Sequence, residues 1–94
     1  MAVNTKISVT TTSTPVLTTS FRTCVLTNYG VSGVIWLRVG QSSNAVVGEG
    51  IPLVPASVAG GIGGSFTLND NSLSQNIVSA ISSNGTNLLS VYSL

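Results

Sequence analysis

The sequence predicts an all-β fold: a small antiparallel β-sandwich of jelly-roll or immunoglobulin-like size, with seven to eight short strands. Three observations carry this. Val, Ile and Thr recur throughout, and side chains that are stiff at χ1 fit pleated strands better than helices. Ten glycines and three prolines break the chain at short intervals. Between those breaks, apolar and polar side chains alternate with the period of two that marks a half-buried strand.

Taken in order, Lys6–Thr10 alternates Ile7 and Val9 against Ser8 and Thr10 and reads as a first strand. Thr11–Thr14 is a hydroxyl-rich connector. Pro15 opens a short strand over Val16–Thr19, and a proline there suits a first position or an edge. Phe21–Asn28 alternates without choosing a face: Cys24 and Leu26 favour one, Phe21 and Val25 the other. Asn28, Gly30 and Gly33 supply turn residues, and Val34–Val39 follows. The stretch Val25–Pro55 thus reads as the central hairpin of the sandwich. Ile35, Leu37 and Val39 form one purely apolar face, which places Val34, Trp36 and Arg38 on the other.

Gly40–Gly50 reads as a polar loop with a brief strand at Ala45–Val47. Ile51–Pro55 is extended, because a residue before proline is pushed toward β or polyproline geometry, and its two prolines bar it from a sheet centre. Gly60–Gly64 is the most flexible run, suited to flexing or to lying close to a neighbour. Ser65–Leu68 is a strand, and Asn69–Asn71 a turn. Asn84-Gly85 favours a two-residue type I′ turn and predicts a hairpin between Gln75–Ser82 and Thr86–Ser93.

Ninety-four residues make a single domain. Residues 1–14 read as an N-terminal arm and first strand, with Val3–Thr14 suited to ordering against a neighbour, and residues 15–94 as the sandwich. A domain this small buries only about two-thirds of its unfolded surface, so staples or partners matter. Cys24 is the single cysteine, which excludes an intrachain disulfide. With no histidine and two carboxylates, a structural zinc is excluded as well. Charged residues are 5% of the chain, against a usual share of about 25%. Ser, Thr and Asn must therefore provide the polar surface, and a net charge of +1 offers a free monomer little protection from association. No apolar run approaches the roughly 20 residues of a membrane span, and Met1–Lys6 leads into no signal-like apolar segment.

The same inventory argues against catalysis. Acid–base chemistry needs paired titratable groups, and Glu49 and Asp70 fall in separate expected loops. A nucleophilic Ser or Cys needs a base, and no histidine exists to serve as one. Cys24 in a strand reads as a small buried hydrophobe. Gly60–Gly64 precedes a strand pattern and no Lys, so it does not make a phosphate loop. Lys6, Arg22 and Arg38 are too few for a nucleic-acid face. Asn84-Gly85-Thr86 matches a glycosylation sequon, but the turn already explains Asn84 and Gly85. The expectation is no catalytic, cofactor or metal site, no nucleic acid, no membrane and no small-molecule substrate.

Trp36 is the residue on which a protein contact would centre. In a central strand it reads either as core or as an outward residue, and the claim of Ile35, Leu37 and Val39 on the inner face favours the outward one. Trp and Arg are enriched at protein interfaces.

The order of the pieces carries a resemblance. Leu26-Thr27-Asn28-x-Gly30 is followed by Val34-x-Trp36-x-Arg38-Val39-Gly40. Then come Gly50-Ile51-Pro52-Leu53-Val54-Pro55, a Gly-rich loop, Ser65-Phe66-Thr67-Leu68 and Ile77–Thr86 with its Asn84-Gly85-Thr86 ending. Over residues 22 to 94 this is similar to the small β-sandwich virion proteins of tailed bacteriophages. Ala56 departs from the glycine that usually follows the second proline. The resemblance implies a non-enzymatic capsid decoration (cement) protein on the virion exterior, made in the host cytoplasm. Its implied partners are itself, as a homotrimer, and the major capsid protein. The contacts expected on this reading are Trp36, Arg38, Val34, Arg22, Tyr29, Ile51, Pro52, Leu53 and Pro55. The rival is a host-receptor or glycan-binding module of a tail fibre or spike, for which Trp36, Tyr29 and Tyr92 are a thin supply of aromatic rings. A secreted or pilus-type subunit is a third reading, disfavoured by the lack of a signal-like start.

Overall fold

The computed structural model describes residues 3–17, 23–40, 44–58, 60–69 and 77–93. Eight strands are present: β1 Val3–Val9, β2 Thr14–Leu17, β3 Thr23–Asn28, β4 Ile35–Gly40, β5 Ile51–Leu53, β6 Ser65–Asn69, β7 Ile77–Ser82 and β8 Asn87–Ser93. They form two four-stranded antiparallel sheets, ordered β1-β8-β3-β6 and β2-β7-β4-β5. Pairing β1 with β8, β2 with β7, β3 with β6 and β4 with β5 is the strand order of a jelly roll.

Alternation builds the core. On β3 the side chains of Cys24, Leu26 and Asn28 point inward, so the face that the sequence left open is settled in favour of Cys24 and Leu26. Leu89 and Val91 on β8 and Val9 on β1 complete that sheet's inner surface. Against it pack Ile35 and Leu37 on β4, Val78 and Ala80 on β7, Leu53 on β5 and Val16 on β2, with Val39, Ile51 and Phe66 around them. The prolines fall where a missing N–H is tolerated: Pro15 and Pro52 lie on β2 and β5, the two edges of one sheet.

Both expected hairpins are absent. β3 and β4 lie in opposite sheets, and so do β7 and β8. The Asn- and Gly-containing segments between them cross from one sheet to the other at one end of the sandwich, and they bond to each other. Ser83 N donates to Val34 O, and Val34 N to the Ser83 hydroxyl. The Asn87 carboxamide is fully used. Its oxygen accepts from Ser32 N (3.0 Å) and Gly33 N (3.2 Å), and its nitrogen donates to Ser82 Oγ (2.7 Å) and Asn84 O (3.2 Å). Asn28 does the same work next door, donating to Gly33 O and Leu53 O and accepting from Gly30 N at 2.8 Å. A hairpin between the flanking strands would leave both buried amides without these partners, and buried polar groups are costly when unpaired.

Other expectations are changed or narrowed. Ala45–Val47 is not a strand: Val46–Glu49 is a tight turn, with Glu49 N donating to Val46 O. The glycine-rich run serves close approach. Gly63 N donates to Asn28 O and Gly64 N to Val54 O, and a Cβ on Gly63 would collide with both carbonyls. Val3–Thr14 includes β1, which pairs along its whole length with β8 of its own chain. Of the expected turn at Asn69–Asn71, Asn69 instead ends β6, and the other two residues lie outside the described ones.

Asn87→Ala removes the acceptor of two main-chain N–H groups and a donor to Ser82. Its unfolding free energy in denaturant titration should fall by about 2–4 kcal/mol, whereas Asn84→Ala, which loses one exposed bond to Ser32 O, should cost under about 1 kcal/mol. An Asn87→Ala protein as stable as the wild type would remove the amide clamp from the account of the fold.

Candidate interaction surface

β4 alternates, so Ile35 and Leu37 enter the core and Trp36 and Arg38 face away from it. The register then sets Trp36 in a row between Ile81 on β7 and Pro52 on β5, and Arg38 beside Ser79. Trp36, Ile81 and Val34 are partly buried, while Arg38 and Pro52 are exposed. This outer face of the β2-β7-β4-β5 sheet is crossed by a strap. Ala45 N donates to Ser13 Oγ beside β2 at 2.8 Å, and Glu49 and Gly50 line a surface recess with Arg38 on β4. Outward-pointing Ser79 lies between those two anchor points and is nearly inaccessible to solvent. The strap presents Val46 and Val47 to solvent.

The expected contact residues do not form one patch. Val34, Trp36, Arg38 and Pro52 share this face. Ile51 and Leu53 alternate with Pro52 and so point inward, with Leu53 wholly inside the core. Tyr29 follows the end of β3 in the opposite sheet, and the Lys6 ammonium lies 5.3 Å from its ring centroid. That cation–π contact is worth about 0.5–1 kcal/mol at an exposed site. Pro55 sits at the crossover end, next to Ala56, whose N–H donates to Gly30 O. Arg22 lies outside the described residues.

A second apolar surface was not anticipated. Around the crossover end, Val31, Val54, Val58 and Ile62 are 51%, 57%, 65% and 69% exposed. Main-chain bonds gather their loops: Ala56 N to Gly30 O, Gly63 N to Asn28 O and Gly64 N to Val54 O. No charged residue occurs in 28–34, 53–64 or 82–86, so the rim is apolar without a guard of like charge. The signal was legible in principle, since Val54, Val58 and Ile62 are aliphatic residues among Gly, Pro and Ser, with no strand alternation to take them inside.

Chemistry is sparse here. Among the described residues no three His, Cys, Asp or Glu side chains gather to hold a metal ion. Burial pushes the Cys24 thiol up to about 11 from an ordinary value of 9.0, because the thiolate loses its hydration. A thiol so placed is inert at neutral pH. No family model matches the chain, and no curated protein and no solved structure matches it.

The Cys24 shift has a sign that can be read in stability. The thiol stays neutral when folded while its unfolded counterpart ionises. Its contribution is therefore full below pH 9 and is lost as pH rises toward 11. Cys24→Val should remove about 2 kcal/mol of the fall in unfolding free energy across that window. Equal slopes in the two proteins, or alkylation of native Cys24 at neutral pH as fast as in denaturant, would contradict a buried neutral thiol.

Proposed function

We propose that this chain is a non-enzymatic structural protein of a virion, of the capsid decoration (cement) type, that binds the protein shell through its surfaces as an oligomer. The observation that carries the reading is the combination of an outward Trp36–Arg38 face with an uncharged aliphatic rim, on a domain with five charged side chains. Exposed apolar patches rimmed by polar residues mark interaction sites, and Trp with Arg is the pairing that dominates binding energy where contacts are desolvated. Jelly rolls occur among viral capsid and lectin domains. That is support by analogy of fold, since one fold hosts many functions. The major capsid protein is the proposed partner and the capsid exterior the proposed location.

Trp36→Ala should lower co-sedimentation of the purified chain with the capsids of its own virus at least tenfold. Its circular dichroism should stay that of the wild type, because Trp36 lies outside the core. Undiminished binding would release the Trp36 face from this role. Absence of any capsid binding by the wild-type chain, together with glycan-array hits that Trp36→Ala abolishes, would replace the decoration reading with the receptor-binding one.

A further inference from the structure

A strand at the edge of a sheet presents a row of N–H and C=O groups without ladder partners. Soluble domains shorten such edges, break them with proline or bulges, or charge them. Among the described residues the sandwich has four edge strands: β1 and β6 in one sheet, β2 and β5 in the other. β2 is four residues long, carries Pro15, and shifts register between Pro15 and Leu17. β5 is three residues long with Pro52 at its centre, and β6 is five residues long. β1 is treated differently. It has seven residues, no proline, and an unbroken register against β8 from Val3↔Ser93 to Val9↔Asn87. Its one charged residue, Lys6, has its ammonium drawn back across its own sheet to the Tyr29 ring. The usual guard of an edge is thus occupied within the protomer.

We propose that β1 is the self-association edge: it pairs antiparallel, about a twofold axis, with β1 of a second copy, and joins two four-stranded sheets into one of eight. The strand's own alternation supports this occupant. In an antiparallel pair centred on residue c, residue i meets residue 2c − i. The two positions have the same parity, so inward side chains meet inward ones in every residue-centred register. A second copy is therefore complementary to this edge without any change of sequence.

Charge excludes one register, and cover for Ile7 favours another. Centring on Lys6 would set two like-charged residues directly opposite, which is unfavourable in a sheet even with each ammonium leaning toward its own Tyr29. Centring on Ile7 pairs Ile7 with Ile7, Thr5 with Val9 and Lys6 with Ser8. Ile7, only partly buried in one protomer, is then covered by its symmetry mate. The contact is isologous, as in most dimers.

This inference rests on the self-association in the proposed function and makes it a twofold dimer in place of the homotrimer that the resemblance implies. Light scattering on the full chain between about 1 and 100 μM should give twice the chain mass. Thr5→Lys puts an inward-pointing charge on the exposed part of β1, and should raise the dimer dissociation constant at least tenfold with the circular dichroism unchanged. Thr67→Lys, on the β6 edge, should leave the dimer intact. Ile7→Cys should give a disulfide-linked dimer on mild oxidation and Ser8→Cys should not, with buried Cys24 taking no part. A monomer at every concentration would overturn the proposal. So would a trimer, which cannot place two antiparallel β1 edges together, and so would a dimer that Thr67→Lys abolishes and Thr5→Lys spares. A monomer or trimer that still binds capsids would leave the decoration reading in place. A β1 dimer that binds no capsid would do the reverse.

Discussion

The fold depends on two buried carboxamides. A jelly roll sends all but one of its connections across from sheet to sheet, here all except β4 to β5, and each crossing carries main-chain N–H and C=O groups over the end of the core. Those groups cannot pair in a ladder, and desolvating them unpaired is expensive. Asn87 takes two N–H groups from one crossing and gives its own two to the other, so the β3–β4 and β7–β8 segments become a single bonded unit. Asn28 ties the same unit to Leu53 at the end of β5. The chain must then keep Gly30 free of a side chain, because a Cβ there would occupy the space of the Asn87 amide. One interaction thus explains an Asn, a Gly and a pair of docked loops separated by more than fifty residues of sequence.

That arrangement also marks where the sequence stopped being legible. The class of fold and most strands follow from period-two alternation, and the edge positions of β2 and β5 follow from Pro15 and Pro52. These are local signals: alternation and a missing N–H act within a few residues. Strand partnership is not local. Asn84-Gly85 has the composition of a hairpin turn, and Gly85 does adopt a positive φ of 64°, yet the turn directs β8 into the other sheet. The choice is made by Asn87, whose partners Ser32 and Gly33 appear only in three dimensions. The buried face of β3 was likewise undecidable, since Phe21 and Val25 balance Cys24 and Leu26 until the opposing sheet is present.

The candidate surface was partly legible for the same reason. Alternation alone turned Trp36 and Arg38 away from Ile35 and Leu37, and the structure agrees. Applied to β5 it also turns Ile51 and Leu53 inward while Pro52 faces out, but a three-residue strand between prolines gives too short a pattern to read. The strap from Ala45 to Gly50 has no periodic signal. It is held by one hydroxyl of Ser13 and by the turn at Val46–Glu49, and so is visible only once β2 and β4 share a sheet.

The face and the edge belong to different sheets, and this gives their combination a geometry. Pairing residues of like parity across β1 requires the twofold axis to stand perpendicular to the β1-β8-β3-β6 sheet. Such an axis keeps both copies of the opposite sheet on the same side of the eight-stranded layer. Both Trp36–Arg38 faces then point one way, at two separated places on one object. Two faces on one object would bind a repeating target more tightly than one, because the second engagement is intramolecular once the first is made. An edge left long and unguarded is a liability in a free monomer. On the proposed function, the same edge would set two such faces in register with a repeating shell.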